Sequence, residues 1–171
     1  MAQQTRLLEK LTGGDRRSIG KSNQVVKLVL ARPRLFAELI DGMQAADPLV
    51  RMRAADAAEK VSLKQPDLLQ PFKAKLLRLL EKASEQELRW HLAQMVPRLP
   101  LARKDRVRAA SALQHYLTDR SSIVKTCALQ ALAEVAAKEE SLRPEIEALL
   151  RHSLKTGTPA MKARARRLLH Q

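Results

Sequence analysis

A chain of 171 residues with 45% apolar and 29% charged side chains is about one globular domain with a substantial core, which excludes a disordered chain. Aromatic residues make up only 2%, so Ala and Leu must fill that core, as close-packed helices allow. The 32 Lys/Arg against 18 Asp/Glu leave a net charge of +14 and point to anionic partners, while the single cysteine, Cys127, excludes an internal disulfide.

In chain order, "MAQQTRLLEKL" reads as helix and lacks the apolar run of a signal peptide. Nowhere does the chain approach the roughly 20 apolar residues that span a bilayer. With no disulfide framework, the expected setting is cytoplasmic. Next comes "GGDRRSIGKSNQ", Gly13 to Gln24, close to a loop that cradles nucleotide phosphates. That loop requires Gly, four residues, then Gly-Lys-Ser/Thr, after a strand. Here Asp15 stands where the first glycine belongs, and a carboxylate there repels phosphate. The upstream pattern is helical, so nucleotide binding is not expected. Ser22 instead suits the N-cap of the helix "NQVVKLVLAR".

From here the pattern repeats. A helix opening at Pro33, "PRLFAELIDGMQ", precedes a second starting at Asp47, "DPLVRMRAADAAEKV". The pairs continue with "PFKAKLLRLLEKA" at Pro71 and "SEQELRWHLAQMVPRL" at Ser84, then "RKDRVRAASALQHYLTD" and "SSIVKTCALQALAEV" at Ser121. The last pair is "PEIEALLRHSLK" at Pro144 and "TPAMKARARRLL" at Thr158. Asp47, Ser84, Ser121 and Thr158 are N-cap residue types at a constant step of 37, and Ser84 to Glu87 has capping-box spacing. Each is followed by an apolar stripe of helical period: Val50, Ala54, Ala57, Ala58, Val61; then, shifted by one, Leu88, Leu92, Met95, Val96, Leu99; then Val124, Ala128, Ala131, Leu132, Val135; then Met161, Ala165, Leu168, Leu169. No segment alternates as a strand does. The expected fold is all-α: capping helices or a degenerate repeat over 1–32, then hairpins over about 33–66, 67–101, 102–138 and 139–171, in one continuous domain.

The start Asp47-Pro48-x-Val50-Arg51, the basic residue following the first apolar one in each copy (Arg51, Arg89, Lys125, Lys162), and the Ala-rich second helices resemble HEAT repeats over about residues 30–171. The resemblance implies an armadillo-like, right-handed α-α superhelix of about four to five helical hairpins, with the second helices on its concave side. It implies no activity, so the chain is expected to be a non-enzymatic scaffold that mediates protein–protein interaction.

With the repeats so aligned, Met52, Trp90, Thr126 and Ala163 share one row of the second helices. Arg53, His91, Cys127 and Arg164 share the next, and Asp56, Gln94, Gln130 and Arg167 a third. The residues expected to hold a partner are Arg53, Trp90, His91, Gln94, Gln130, Arg164 and Arg167, with Trp90 as anchor, because Trp and Arg are over-represented at binding hot spots. The charge favours an acidic protein surface. The alternative is nucleic acid gripped by its phosphates through Arg16 and Arg17, Arg103 to Arg108, or Lys162 to Arg167. A third class is a DNA glycosylase of HEAT-like fold, with Asp56 and Trp90 in the site. His91, His115, His152 and His170 form no i, i+4 pair, so no metal is expected. No nucleophile elbow is present, and no cofactor or small-molecule substrate is expected.

Overall fold

The computed structural model describes residues 4–15 and 17–170, so Arg16 lies outside the described residues. Within that range every regular element is helical and none is a strand. The helices gather into two compact units, Met1–Phe72 and Lys73–Gln171. The division falls inside the stretch 67–101 that sequence periodicity takes as one repeat. The short 3-10 helix Pro66–Phe72 packs back on the helix before it and so stays with the first unit.

The first unit holds α1 (Gln4–Glu9), α2 (Ser22–Ala31), α3 (Phe36–Gly42) and α4 (Pro48–Lys64). Pro33 begins a 3-10 turn that leads into α3, because its fixed φ suits a first helical turn and its missing N–H costs nothing there. Asp47 caps α4 by accepting from the Leu49 N–H at 2.8 Å. The α4 stripe Ala54, Ala57, Ala58 and Val61 is fully buried against α2 and α3, together with Val25, Val29, Leu39 and Ile40. Small side chains on α4 let its neighbours approach closely. A Cβ on Gly42 would lie 2.6 Å from Leu8 Cδ2 and 2.9 Å from Ala54 Cβ, so α3 tolerates only glycine at that contact.

The second unit holds α5 (Lys73–Lys82), α6 (Gln86–Met95), α7 (Arg103–Tyr116), α8 (Ser122–Ala137), α9 (Arg143–Thr156) and α10 (Pro159–Leu169). Successive helices pair as α5/α6, α7/α8 and α9/α10. Across the pairs, α6 packs on α8 and α8 on α10, while α5 packs on α7. The second helices of successive pairs are therefore neighbours. Leu88, Leu92, Val124, Ala128, Ala131, Leu132, Met161 and Ala165 are buried along them, each large one contributing about 1.5–3 kcal/mol of apolar burial.

The caps expected at Ser121 and Thr158 form: Ser121 Oγ accepts from the Val124 N–H at 3.4 Å and Thr158 Oγ1 from the Met161 N–H at 3.3 Å. Two others do not. The N-cap of α6 is Glu85 rather than Ser84, and no side chain bonds the first turn. Ser22 is the first helical residue of α2 rather than its cap, and its buried hydroxyl donates instead to Asp56 on α4. The Glu85 start removes an apparent irregularity. Counted from the observed caps Asp47, Glu85, Ser121 and Thr158, the first buried apolar residue (Val50, Leu88, Val124, Met161) always stands three positions on. The basic residue (Arg51, Arg89, Lys125, Lys162) always stands four on.

Two of those basic residues close the hairpin turns. Arg51 donates to the carbonyls of Ala45 and Ala46 at 2.6 and 2.9 Å, and Arg89 to that of Ala83 at 2.8 Å. Arg106 on α7 and Arg143 on α9 do the same for the turns that lead into their helices, bonding Leu101 and Ala136 with Ala137. Each guanidinium adds donors to carbonyls at the end of the preceding helix or turn, where the helical ladder runs out.

Candidate partner-binding face

The α6–α8–α10 row brings together most of the residues expected to hold a partner. Trp90 is half-buried on α6, and its indole stands edge-on to the His91 ring with centroids 5.4 Å apart. His91 itself is buried, at 8% exposure, so it supports Trp90 from beneath rather than facing solvent. Gln94, one turn on, donates from Nε2 to Cys127 Sγ at 3.5 Å and so links α6 to α8. Gln130 accepts from Arg164 at 2.8 Å, linking α8 to α10, and donates to Glu134 at 2.7 Å. At the start of the same helices the hydroxyls of Ser122 and Thr158 lie 2.7 Å apart. These bonds hold the three helices in register through half-exposed polar groups. Arg167 is exposed on α10.

Arg53 is a correction. It was expected on the open face, yet it is 1% exposed in the first unit. Its Nη1 donates to the carbonyls of Leu11, Thr12 and Gly13 at 2.8, 3.4 and 2.6 Å, its Nη2 to Asp15 at 3.1 Å, and its Nε to Ser18 at 3.1 Å. The stretch that resembles a phosphate loop thus turns the carbonyls of Gly13, Asp15 and Ser18 towards a guanidinium. Gly13, Gly14 and Gly20 all have positive φ, which lets the chain make that turn. A Cβ on Gly20 would sit 2.7 Å from Arg53 Cζ. Asp56, the carboxylate a glycosylase would need, accepts from Ser22 and from Lys60, the latter at 2.8 Å, in the α2–α4 contact.

A further network lies along α5, α6 and α7, of which the repeat pattern marks only Arg89. Tyr116 donates to the Leu80 carbonyl at 2.6 Å, and its ring lies beneath the Arg89 guanidinium at 5.1 Å. Arg89 also pairs with Asp119 at 2.5 Å. Burial pushes the Tyr116 phenol well above its usual value, which keeps it a neutral donor. Burial also pushes Asp119 up, but the Ser121 N–H and the Arg89 guanidinium outweigh it and hold the carboxyl below its usual value. Beside this network Arg108 forms a bidentate pair with Glu81 at 2.5 and 2.7 Å, lowering the Glu81 carboxyl. A shallow groove of about 410 Å³ lies there, lined by Arg89, Arg108, His115 and Tyr116 among others. Its arginines are already matched by carboxylates, so it offers an incoming anion little.

Among the described residues no group of three or more His, Cys, Asp or Glu is placed to hold a metal ion. No described helix is long and apolar enough to cross a membrane. No family model matches the chain, and no curated protein matches it. Among solved structures it is similar to an engineered protein determined by the Northeast Structural Genomics Consortium. The TM-score is 0.63 at 18% identity, over 99% of this chain and 78% of that one. At that identity the likeness concerns the fold alone.

Proposed function

We propose that the chain is a non-enzymatic scaffold of HEAT-like hairpins that binds an acidic protein through the α6–α8–α10 row. The observation that carries this reading is the half-exposed Trp90, backed by His91 and set in a row whose helices are cross-linked by Gln94–Cys127 and Arg164–Gln130. A rigid aromatic flanked by polar and cationic groups is the composition of a binding hot spot. Supporting the HEAT-like reading are the regular hairpins and the constant offsets of apolar and basic residues from each cap. The arrangement favours binding over catalysis, because the polar groups of the row serve one another rather than converging on a cavity. The setting consistent with it is cytoplasmic.

The test is affinity capture from the native cell on the immobilised chain, with and without nuclease, against a Trp90→Ala variant that melts like the wild type. An acidic protein should be retained through nuclease treatment and lost on Trp90→Ala. Equal recovery on the variant, or recovery of nuclease-sensitive material only, contradicts the reading.

A further inference from the structure

The carboxylates of the second unit are unevenly spent. It holds 20 Lys/Arg against 10 Asp/Glu, a net +10, while residues 1–72 hold 12 against 8, a net +4. Asp105 pairs with Lys73, Glu81 with Arg108, Asp119 with Arg89, Glu139 with Arg103 and Arg106, and Glu147 with Arg151. After Glu147 the chain has no acidic residue at all, yet it carries six Lys/Arg between Arg151 and Arg167. Of these, Arg151 is neutralised by Glu147 and Arg164 is bound to Gln130. On the adjoining α8, Glu134 is engaged by Gln130. Lys155, Lys162, Arg166 and Arg167 form no ion pair with a carboxylate among the described residues.

These four sit together by topology. Lys155 is in the last turn of α9 and Lys162 in the first turns of α10, across the link through Gly157 and Thr158, while Arg166 and Arg167 occupy the last turn of α10. Lys155, Arg166 and Arg167 are exposed and Lys162 is half-buried. Between the cations the exposed residues of α10 are the small Pro159, Ala160 and Ala163. Protein interfaces centre on aromatic and large apolar side chains; α10 has no aromatic residue, and its only large apolar residues outside the core, Leu168 and Leu169, are half-buried at its end. A phosphate backbone asks for none, since guanidinium and ammonium groups supply the affinity and small side chains let the strand come close.

We infer that the outer face of α10, with the end of α9, is a binding surface that shares Arg167 but not Trp90 with the row above, and that it grips the phosphate backbone of duplex nucleic acid without reading its bases. It does not rest on the acidic-protein reading, and its failure leaves that reading untouched.

The test is fluorescence anisotropy of the full chain with a labelled mixed-sequence DNA duplex of about 20 base pairs. Four phosphate contacts predict an affinity loss of roughly a hundredfold between about 50 and about 200 mM salt. The triple variant K162Q/R166Q/R167Q should bind more weakly and lose only about fourfold over the same range, the slope falling by about 1 for each contact removed. A control variant, R78Q/K82Q/K104Q, removes three exposed cations from α5 and α7 and should bind as the wild type does. Should the triple variant fail its thermal melt, R166Q and R167Q singly must each lower the slope by about 1. No duplex binding at the lower salt overturns the proposal. So does an equal loss in the control, which means diffuse charge. So does competition by polyglutamate equal to that by unlabelled duplex, which reassigns the surface to acidic polypeptide.

Discussion

A guanidinium taken out of water normally demands a carboxylate, yet among the described residues every bond that Arg53 makes goes to a backbone carbonyl. Five carbonyls fanned round one planar group do what one anion would, and they do it by fixing Leu11, Thr12, Gly13, Asp15 and Ser18. The fork, not the charge, is therefore the requirement. A lysine ammonium in its place keeps the charge but cannot reach Leu11, Asp15 and Ser18 together. Arg53→Lys should cost about 2–4 kcal/mol in urea unfolding, since it leaves buried carbonyls unpaired. It should also speed proteolysis within the Gly13–Ile19 stretch, and an unchanged midpoint and cleavage rate would refute the clamp. Gly20→Ala should act in the same direction, because its φ of +53° and the nearby guanidinium both oppose a side chain. Asp119 gives a pH-dependent counterpart. Its folded carboxyl is held below the unfolded value, so its stabilisation is complete above the unfolded range near pH 4 and is lost as pH falls through the lower folded value. Asp119→Asn should lower stability by about 1–2 kcal/mol at pH 7, with the gap to wild type closing as pH falls below the unfolded carboxylate range.

At the scale of one helix, the constant offset of apolar and basic residues from each cap is the clearest regularity in the chain, and it separates what sequence could reveal from what it could not. Residue types alone favour Ser84 as a cap, because a serine followed three residues later by Glu87 has the spacing of a capping box. The apolar stripe says otherwise, since Leu88 lies one position later than its counterparts, and that shift placed the cap at Glu85. Where cap chemistry and stripe disagree, burial of a leucine outweighs one hydrogen bond. Two caps and one serine that is no cap are therefore worth testing side by side. Ser121→Ala and Thr158→Ala each remove an acceptor from a first-turn N–H and should lower the melting stability by about 1 kcal/mol. Ser84→Ala removes no cap and should stay within about 0.5 kcal/mol of wild type. Equal losses at Ser84 and Ser121 would show that the caps do not follow the stripe. Most of the α6–α8–α10 row was also legible, since repeat alignment alone brings Trp90, Gln94, Gln130, Arg164 and Arg167 onto neighbouring helices. The placement of Arg53 was not. Alignment treats every copy alike, whereas the first unit owns a loop the others lack. The cluster Gly13, Gly14 and Gly20 was the signal that this loop turns tightly round something.

Across the whole molecule the governing quantity is charge. Divided at mid-chain, the sequence hides the asymmetry between the units, because residues 73–85 carry four cations and two acids into the wrong half. Residues of opposite sign also pair across long sequence separations, as Arg106 with Glu139 and Arg108 with Glu81 do, so no linear count reveals which cations remain unmatched. The unmatched ones matter to stability as well as to binding. At +14 the folded chain repels itself over distances comparable with the Debye length, and salt weakens that repulsion more than it weakens contacts at hydrogen-bond range. The ion pairs lie at 2.5 to 3.7 Å, and those that are exposed contribute little at any salt concentration. The balance predicts that the melting temperature rises as sodium chloride is raised from about 10 to about 200 mM at pH 7. The variant K162Q/R166Q/R167Q, with three fewer positive charges, should start higher at low salt and gain less. Differential scanning calorimetry at both salt concentrations measures each quantity directly. A melting temperature that falls with salt in the wild type would mean that the paired carboxylates, not the unmatched cations, dominate the electrostatics of the fold.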